Sequence, residues 1–363
     1  MENYYRFSAA GRELEAYLSV LYTRYRMMDL RHEWVIRGVL KPRFAGMRHL
    51  VESYLKNFNG RYNFERVGDE TYLTISATVS GTLGAGAANR KWLLHLGLFV
   101  ATVFSTMLAG ALREGGDPLS SLAELSLGIP FAAAIMTILL VHELGHYFAA
   151  RHHGMDVTLP FFIPMPPPMI FGTMGALIKM RSPMFNRRML LDVGAAGPIA
   201  GFVVSVPVLI IGLMQSDWTT FPPSYFVLGD SLLFGWLTDW IMGPRPEGMF
   251  LNMSSLAFAG WIGFFVTAMN LMPIGQLDGG HIGYALLGKK HGRLALAAFA
   301  AMICLSYFWP GWLFWGLLIL LLIRVKHPPV LDEAIPLDRR RRLIGAVTML
   351  ILLLTFMPRP ILA

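Results

Sequence analysis

The stretch LLVHELGHYF, residues 139–148, places two histidines and a glutamate in an otherwise apolar run. If this run is helical, the rings of His142 and His146 lie one turn apart on the same face, where both can reach one metal ion. Glu143 lies one residue round from His142, close enough for its carboxylate to act as a general base beside that metal. The pattern H-E-x-x-H is typical of a zinc site with a built-in base.

A catalytic zinc ion usually takes three protein ligands, so a third ligand has to be found. His152 lies ten residues after His142 and extends the motif to H-E-x-x-H-x-x-A-x-x-H. The related metzincin pattern has glycine where this chain has Ala149, because the helix must break there to return the third histidine. An unbroken helix would carry His152 about 15 Å further along its axis. We therefore expect His152 not to be a ligand.

A better candidate for the third ligand is Asp278, in the stretch FVTAMNLMPIGQLDGGHIGYALLG at 265–288. Pro273, Gly275 and the glycine pair after Asp278 would interrupt a helix, which at membrane depth is tolerated only where backbone lines a cavity or is buried in protein. An ordinary helix end and turn would explain the glycines alone. A carboxylate on the same side of the membrane as an H-E-x-x-H motif favours a shared metal site.

The composition is that of an integral membrane protein. Of the 363 residues, 55% are apolar or aromatic and only 15% are charged, with a mean hydropathy of +0.50. Several apolar stretches approach or exceed the roughly 18 residues that a membrane-crossing helix needs. The single cysteine, Cys304, excludes an intrachain disulfide. We expect seven membrane spans, at about 92–112, 126–150, 190–213, 255–272, 294–309, 311–325 and 342–357.

Charge placement predicts the orientation of these spans. Basic residues collect in the loops on one side and acidic residues in the loops on the other, which fits seven spans with the N-terminus inside and the C-terminus outside. The formal net charge of +8 is therefore a topology signal, and a nucleic-acid partner is not expected. The expected location is a bacterial cytoplasmic (inner) membrane, with the lipid bilayer as an obligatory partner. The amphipathic segment 231–242 is too short to cross and favours an interfacial position.

Residues 1–91 differ in kind, since they are rich in charge and lack a long apolar run. Strands over 34–40, 62–67 and 71–79, with a helix over 42–58, predict a small α+β domain on the cytoplasmic side. The Gly- and Ala-rich stretch 81–89 predicts a linker. The fold class that follows is an all-α polytopic membrane protein, 92–363, with a re-entrant β segment at 156–180 and this N-terminal domain.

The motifs together resemble the site-2 proteases, zinc metalloproteases that cleave peptide bonds within the membrane. The resemblance rests on His142-Glu143-Leu-Gly-His146, on GAAGPIAG at 194–201 and on NLMP at 270–273 running to LDG at 277–279. These core motifs lie within 126–290. The later spans and HPPVLDEAIP at 327–336 resemble the chloroplast-type subgroup of ethylene-dependent gravitropism-deficient yellow-green proteins and its bacterial relatives.

The resemblance implies one zinc ion per chain, on His142, His146 and Asp278, with Glu143 as the base. It also implies that Asn270 contacts the substrate near the scissile bond, and that the substrates are single-span or other membrane proteins. Many bacterial members carry PDZ domains between two core spans, and residues 214–254 are too few for one. Oligomeric state has no sequence signal.

Two features beside the motifs bear on how a substrate could bind. A membrane helix has its carbonyls in internal hydrogen bonds, so it must unwind before cleavage. The segment MGALIKM at 174–180 has strand character, and its edge could pair with an unwound substrate or could simply belong to a structural hairpin. Gly194, Gly197 and Gly201 predict close helix packing beside the metal.

Two other functions remain open at this point. A metal transporter could place histidines and an aspartate on membrane helices, but it has no need for Glu143 beside the first histidine. A proteolytically inactive membrane scaffold would have lost one of the catalytic residues, and His142, Glu143, His146 and Asp278 are all present.

Overall fold

The computed structural model describes residue 18 and residues 21–30, 33–45, 47–55, 61–78, 85–118, 120–155, 157–165, 170–180, 184, 186–221, 227–330, 333 and 335–362. The chain folds as two compact units, Met1–Ala88 and Asn89–Ala363. The assignment of the first unit as a cytoplasmic domain stays a prediction.

The first unit contains a four-stranded antiparallel sheet. Its strands are β1 (Tyr22–Leu30), β2 (Glu33–Leu40), β3 (Arg61–Val67) and β4 (Glu70–Thr78), in the spatial order β1-β2-β4-β3. The three predicted strands are confirmed, whereas edge strand β1 was not predicted. The single helix expected over 42–58 is two short helices, α1 (Pro42–Ala45) and α2 (Arg48–Leu55). Apolar side chains of the sheet and of α2 form its core, among them Ile36, Val51 and Leu73.

The second unit is mostly helical. Its helices are α3 (Ala85–Arg113), α4 (Ile129–His152), α5 (Arg187–Leu213), α6 (Leu232–Met242), α7 (Ser255–Leu271), α8 (Asp278–Leu287), α9 (His291–Leu305), α10 (Gly311–Leu318) and α11 (Arg339–Thr355). A 3-10 turn, Leu122–Gly128, leads into α4, and a π-helical turn, Ile319–Ile323, follows α10. Residues 85–89 of the stretch predicted as a linker form the start of α3, because Ala-rich sequence favours helix, and residues 81–84 lie outside the described residues. The linker stays a prediction.

Three helical stretches among the described residues are long and apolar enough to cross a membrane: Trp92–Arg113, Leu122–His152 and Arg187–Leu213. Helices α6, α7 and α10 are apolar but shorter. The chain is thus an integral membrane protein with a largely helical body. Each of the seven predicted spans coincides with a helix, but seven crossings stay a prediction.

Helices α4, α5 and α7 form the centre of this unit. Most residues of α7 are buried, including Trp261 and Phe264, so this helix has protein on nearly all sides. Close approach depends on glycine. A Cβ on Gly145 of α4 would lie 2.6 Å from the Ala196 carbonyl oxygen of α5, and one on Gly263 would lie 2.2 Å from the Ser205 hydroxyl. Such spacing is how membrane helices pack without bulky side chains between them.

A β hairpin leaves the helical body between α4 and α5. Strand β5 (Phe161–Pro164) pairs antiparallel with β6 (Thr173–Leu177), which confirms residues 174–177 of the strand predicted over 174–180. The other strands are short: β7 (Asp217–Thr219) pairs with β9 (Phe250–Asn252), and β8 (Val227–Leu228) with β10 (Ile361–Leu362). β6 contacts α4, so the hairpin lies beside the helix that carries the H-E-x-x-H motif.

Candidate metal centre

Helix α4 positions the first three candidate residues. It begins with a proline in its first turn, where the missing N–H costs no hydrogen bond, and runs unbroken from Ile129 to His152. His142, Glu143 and His146 lie in its second half and are buried, with 4%, 6% and 5% of their surface exposed. Burial of three ionisable groups in an apolar helix has to be compensated by partners.

The fourth residue, Asp278, reaches the same place from a distant part of the chain. After α7 the backbone makes a compact turn in which Gly275 has φ of +57°, a conformation that side chains rarely adopt. A Cβ on Gly279 would lie 1.8 Å from the Leu271 carbonyl oxygen, so the turn closes only with glycine there. Helix α8 then begins at Asp278. The interrupted helix predicted from the sequence is this turn.

The donor atoms of the three residues converge. His142 Nε2 lies 3.1 Å from His146 Nε2, and Asp278 Oδ2 lies 3.4 Å and 3.2 Å from those two nitrogens. Ligands of tetrahedral zinc, at about 2.0–2.1 Å from the ion, are about 3.3 Å from one another. The spacing therefore fits one zinc ion. Among the described residues, this is the one group of three such side chains close enough to hold a metal.

The hydrogen bond on the far side of His146 fixes its tautomer. His146 Nδ1 lies 2.8 Å from the backbone carbonyl oxygen of Val193 on α5, and a carbonyl can only accept, so Nδ1 carries the proton. In the neutral ring Nε2 then presents a lone pair, and this lone pair faces the carboxylate oxygen of Asp278. Two acceptors at 3.2 Å repel unless a cation or a proton lies between them. A second partner that orients a ligating histidine in this way is usual at metal sites.

Helix α5 has glycines at the positions that face the imidazole rings of His142 and His146. A Cβ on Gly197 would be 2.1 Å from His146 Nε2, and one on Gly201 would be 3.0 Å from His142 Nδ1. Gly194 similarly accommodates His281 of α8, at 2.9 Å. The glycine spacing predicted from the sequence is confirmed, and its reason is that both histidine rings lie directly against the backbone of α5.

Two further groups lie beside the three donor atoms. The backbone of Ile178, the residue after β6, lies beside the Glu143 carboxylate. The Asn270 side-chain nitrogen lies 3.4 Å from His142 Nε2. The structure thus gathers all five residues singled out from the sequence. The Ile178 backbone and the Val193 carbonyl were not predicted, since backbone groups leave no residue-type signal.

His152 is placed as the helix argument requires. Helix α4 continues through Ala149 to His152, whose side chain is exposed and stacks edge-on against His153. His153 in turn contacts Asp192 at 2.9 Å rather than the metal group. Of the histidines on α4, only His142 and His146 belong to the centre.

The sequence was compared with known proteins. It is 31% identical to a "Probable zinc metalloprotease EGY2, chloroplastic" of Oryza sativa subsp. indica over 277 residues. This aligned region covers 74% of this chain and 50% of the relative. It is 29% identical to the protein of that name from Arabidopsis thaliana, over 74% of this chain and 49% of the relative. A "Probable zinc metalloprotease EGY1, chloroplastic" of Arabidopsis thaliana is 30% identical over 63% of this chain and 43% of the relative.

The chain spans about half the length of these curated relatives. No solved structure matches it. The sequence profile named "Peptidase family M50" matches residues 130–308, a range that contains His142, Glu143, His146, Asn270 and Asp278. Residues 130–308 of this chain therefore belong to Peptidase family M50, the family of the site-2 proteases.

Proposed function

We propose that this chain is an intramembrane zinc metalloprotease that hydrolyses peptide bonds in or near the transmembrane segments of membrane-protein substrates. The observation that carries the proposal is the pair of facing acceptors, His146 Nε2 and Asp278 Oδ2, held 3.2 Å apart in a buried site. Such an arrangement favours a cation between them, and His142 supplies the third donor. The relatives named as probable zinc metalloproteases support zinc as that cation.

The roles of the side chains follow from their chemistry and positions. When bound, zinc would lower the pKa of a coordinated water and polarise the scissile carbonyl. Glu143 is not among the converging donors, so its carboxylate is left to accept a proton from the attacking water. The backbone of Ile178 lies beside that carboxylate. The Asn270 amide can donate to the negative charge that develops on the substrate oxygen.

The hairpin offers a way to hold an unwound substrate. Within the described residues, β6 pairs with β5 on one side only, and the chain after β6 passes beside Glu143. An extended peptide added along β6 would make main-chain hydrogen bonds next to the general base. We propose this edge as the binding surface for the substrate segment. It would keep the scissile carbonyl free of helical hydrogen bonds at the point of attack.

A substitution at Glu143 separates chemistry from metal binding. Glu143→Gln should keep zinc, because the carboxylate is not a ligand, and should abolish cleavage of a single-span substrate, because an amide cannot accept the proton. Zinc content and cleavage are measured on the same purified protein in detergent. Cleavage near the wild-type rate would refute the base assignment. Metal transport in proteoliposomes that survives the substitution, without cleavage in either protein, would favour a transporter.

The third ligand is tested by a matched pair of substitutions. Asp278→Ala should lose most of its zinc and all activity, since an anionic ligand is removed from the ion. His152→Ala should keep both, because this side chain is exposed at the end of α4. Zinc retained in Asp278→Ala and lost in His152→Ala would overturn the proposed site.

The proposed orientation places the N-terminus inside and the C-terminus outside a bacterial cytoplasmic (inner) membrane. It is supported by the basic run Arg339–Arg342 on one side and by acidic residues such as Asp217 and Glu247 on the other. On a Cys304→Ala background, an impermeant thiol reagent added outside should label cysteines introduced near Asp217 and Glu247 but not near Lys289. The opposite labelling pattern would invert the topology.

A further inference from the structure

A second histidine pair lies on the helix that carries Asp278. His281 Nδ1 of α8 lies 2.8 Å from His327 Nε2, which belongs to the segment between the π-helical turn and α11. This segment is called the strap here and is defined as residues 324–338, of which 324–330, 333 and 335–338 are described. The two residues are 46 positions apart, so the contact joins separate parts of the chain.

The direction of the hydrogen bond can be assigned. His327 Nδ1 lies 2.5 Å from the Pro328 carbonyl oxygen, which can only accept, so Nδ1 donates. In the neutral His327 ring Nε2 is then an acceptor, and His281 Nδ1–H must be the donor to it. Each nitrogen in this chain of contacts has a partner of the opposite kind. These three ring nitrogens are therefore satisfied without a metal ion.

The strap holds α8 at further points. The Tyr284 hydroxyl donates to Glu333 at 2.7 Å, and the Tyr284 ring stacks on His327 with ring centroids 4.7 Å apart. Val330 packs with Tyr284 in a small apolar cluster that includes Leu190 of α5. The Gly275 amide, in the turn before α8, donates to the Val325 carbonyl at 2.9 Å. The strap thus contacts both α8 and the turn that leads into it.

The backbone at the start of the strap is strained. Arg324 has φ of 65° and ψ of 151°, and it is the only residue other than glycine with positive φ in the described part of the chain. This region is essentially reserved for glycine, and such conformations persist only where the surroundings enforce them. Gly275 lies against the same residue, since a Cβ there would be 2.0 Å from the Arg324 carbonyl oxygen. Strap and turn are therefore fitted to each other.

His281 lies between two supports. Its Cβ is close to Gly194 of α5, and its Nδ1 bonds to His327 of the strap. Asp278 is three residues earlier on α8, which places it one turn away on the same face of the helix. A rotation or shift of α8 that moves His281 must therefore also move the Asp278 carboxylate.

We propose that His327 is a positioning residue for the metal centre: through His281 it fixes the orientation of α8 and so holds Asp278 at ligand distance from His142 and His146. This inference rests on the proposed function, because it takes Asp278 as a zinc ligand. Among the described residues, the side-chain partners of the His327 ring are His281, Tyr284 and His291. Its effect is exerted entirely through α8.

The test uses two amides that mimic different nitrogens of the ring. His327→Gln can place its amide oxygen where Nε2 lies and so keep the acceptor for His281, whereas His327→Asn can mimic only Nδ1 and loses it. Zinc affinity of the full chain in detergent is measured by competition with a chromophoric chelator, alongside kcat and KM for a single-span substrate. We expect His327→Asn to bind zinc about tenfold more weakly, in the range of outer-shell substitutions, with a lower kcat and unchanged KM. His327→Gln should restore both to within about threefold of wild type.

Wild-type zinc affinity and kcat in His327→Asn, with intact helical content and a single elution peak, would overturn the inference. An equal loss in both variants would overturn it too, because the role would then not depend on the acceptor. Asp278→Ala distinguishes this failure from failure of the proposed function. If Asp278→Ala keeps its zinc, the metal site itself is wrong; if it loses zinc while His327→Asn keeps it, only the positioning role fails.

Discussion

In both histidine pairs of this protein, His142 with His146 and His281 with His327, the facing ring nitrogens lie about 3 Å apart. The pairs differ in which of these nitrogens donate and which accept hydrogen bonds. In the first pair His142 and His146 have their Nε2 atoms 3.1 Å apart, and an outer hydrogen bond leaves Nε2 of the neutral His146 ring as an acceptor that faces a carboxylate. In the second pair His281 donates to His327 at 2.8 Å and every proton has an acceptor. The first pair is arranged to take a cation or a proton at its centre, whereas in the second pair the two rings are joined by a hydrogen bond between a donor and an acceptor.

The difference shows how a metal site can be told from a structural contact without a bound ion. Proximity of histidines alone does not distinguish the two, since both pairs are close and both are helped by glycines of α5. The two kinds of site are distinguished by the hydrogen-bond partner of the other ring nitrogen, because this partner sets which nitrogen of the neutral ring carries the proton. Converging lone pairs beside a carboxylate indicate a cation site, and alternating donors and acceptors indicate a structural link.

A histidine-to-asparagine substitution should therefore lower zinc affinity strongly in the first pair and leave it nearly unchanged in the second pair. Asparagine can mimic Nδ1 of histidine but not Nε2. His146→Asn keeps a donor for the Val193 carbonyl and removes the ligand atom, so zinc affinity should fall by more than the roughly 100-fold that outer-shell changes reach. His281→Asn keeps the Nδ1 donor to His327, so its zinc affinity should stay within about threefold of wild type. Chelator competition on both proteins measures the contrast, and equal losses would remove the distinction.

A methyl group on α5 should break the first pair almost as effectively. Gly197→Ala would place its Cβ 2.1 Å from His146 Nε2, so the ring must move off the ligand position. We expect loss of most zinc and a destabilisation of about 1–3 kcal/mol, as for other overpacked cores. Gly235→Ala on α6 is the control, because its Cβ meets nothing within 4 Å. Zinc content and thermal unfolding of both variants are compared with wild type, and retained zinc in Gly197→Ala would contradict the packing argument.

Metal removal should destabilise the protein through the first pair only. A ligand at 100 times its Kd stabilises the folded state by about 2.7 kcal/mol, so a strong chelator should lower the Tm of the wild type. The shift should vanish in His146→Asn, which has no zinc to lose, and should persist in His281→Asn. Differential scanning fluorimetry in detergent, with and without chelator, gives both shifts. A chelator effect that survives in His146→Asn would place the stabilising metal elsewhere.

The smallest effect on zinc affinity is expected from loss of the hydrogen bond between Tyr284 of α8 and Glu333 of the strap. Tyr284→Phe removes the hydroxyl that donates to Glu333 but keeps the ring stacked on His327. We expect a loss of stability of about 1 kcal/mol and a change in zinc affinity below about threefold. Thermal unfolding and chelator competition check the two values. A tenfold loss of zinc affinity would move the positioning role from His327 to Tyr284.

The metal centre could be predicted because its chemistry requires particular residue types at particular spacings. His142 and His146 follow from one helical turn, and Asp278 follows from a broken helix on the expected side of the membrane. The exclusion of His152 followed from helix geometry, and α4 indeed continues through Ala149. The spacing of Gly194, Gly197 and Gly201 also predicted close helix packing beside the metal centre.

Other features could not be read from the sequence. The Ile178 backbone and the Val193 carbonyl are main-chain groups, and any residue could supply them. The pairing of His281 with His327 depends on how a segment 46 residues away folds back, and neither residue stands in a periodic pattern. Edge strand β1 alternates weakly, and two short helices stand where one helix was predicted over 42–58. Long-range contacts between irregular segments leave no local signal.

The strap also bears on where a minimal catalytic chain could end. The family match stops at residue 308, and every motif of the metal centre lies before that point. Yet α8 is held by His327, Val330 and Glu333, which all follow it. A shortened chain ending at residue 308 would keep the whole signature and lose the strap that contacts the helix of Asp278, the proposed third ligand. We therefore expect the boundary recognised by sequence and the boundary needed to hold α8 in position to be different places in this molecule.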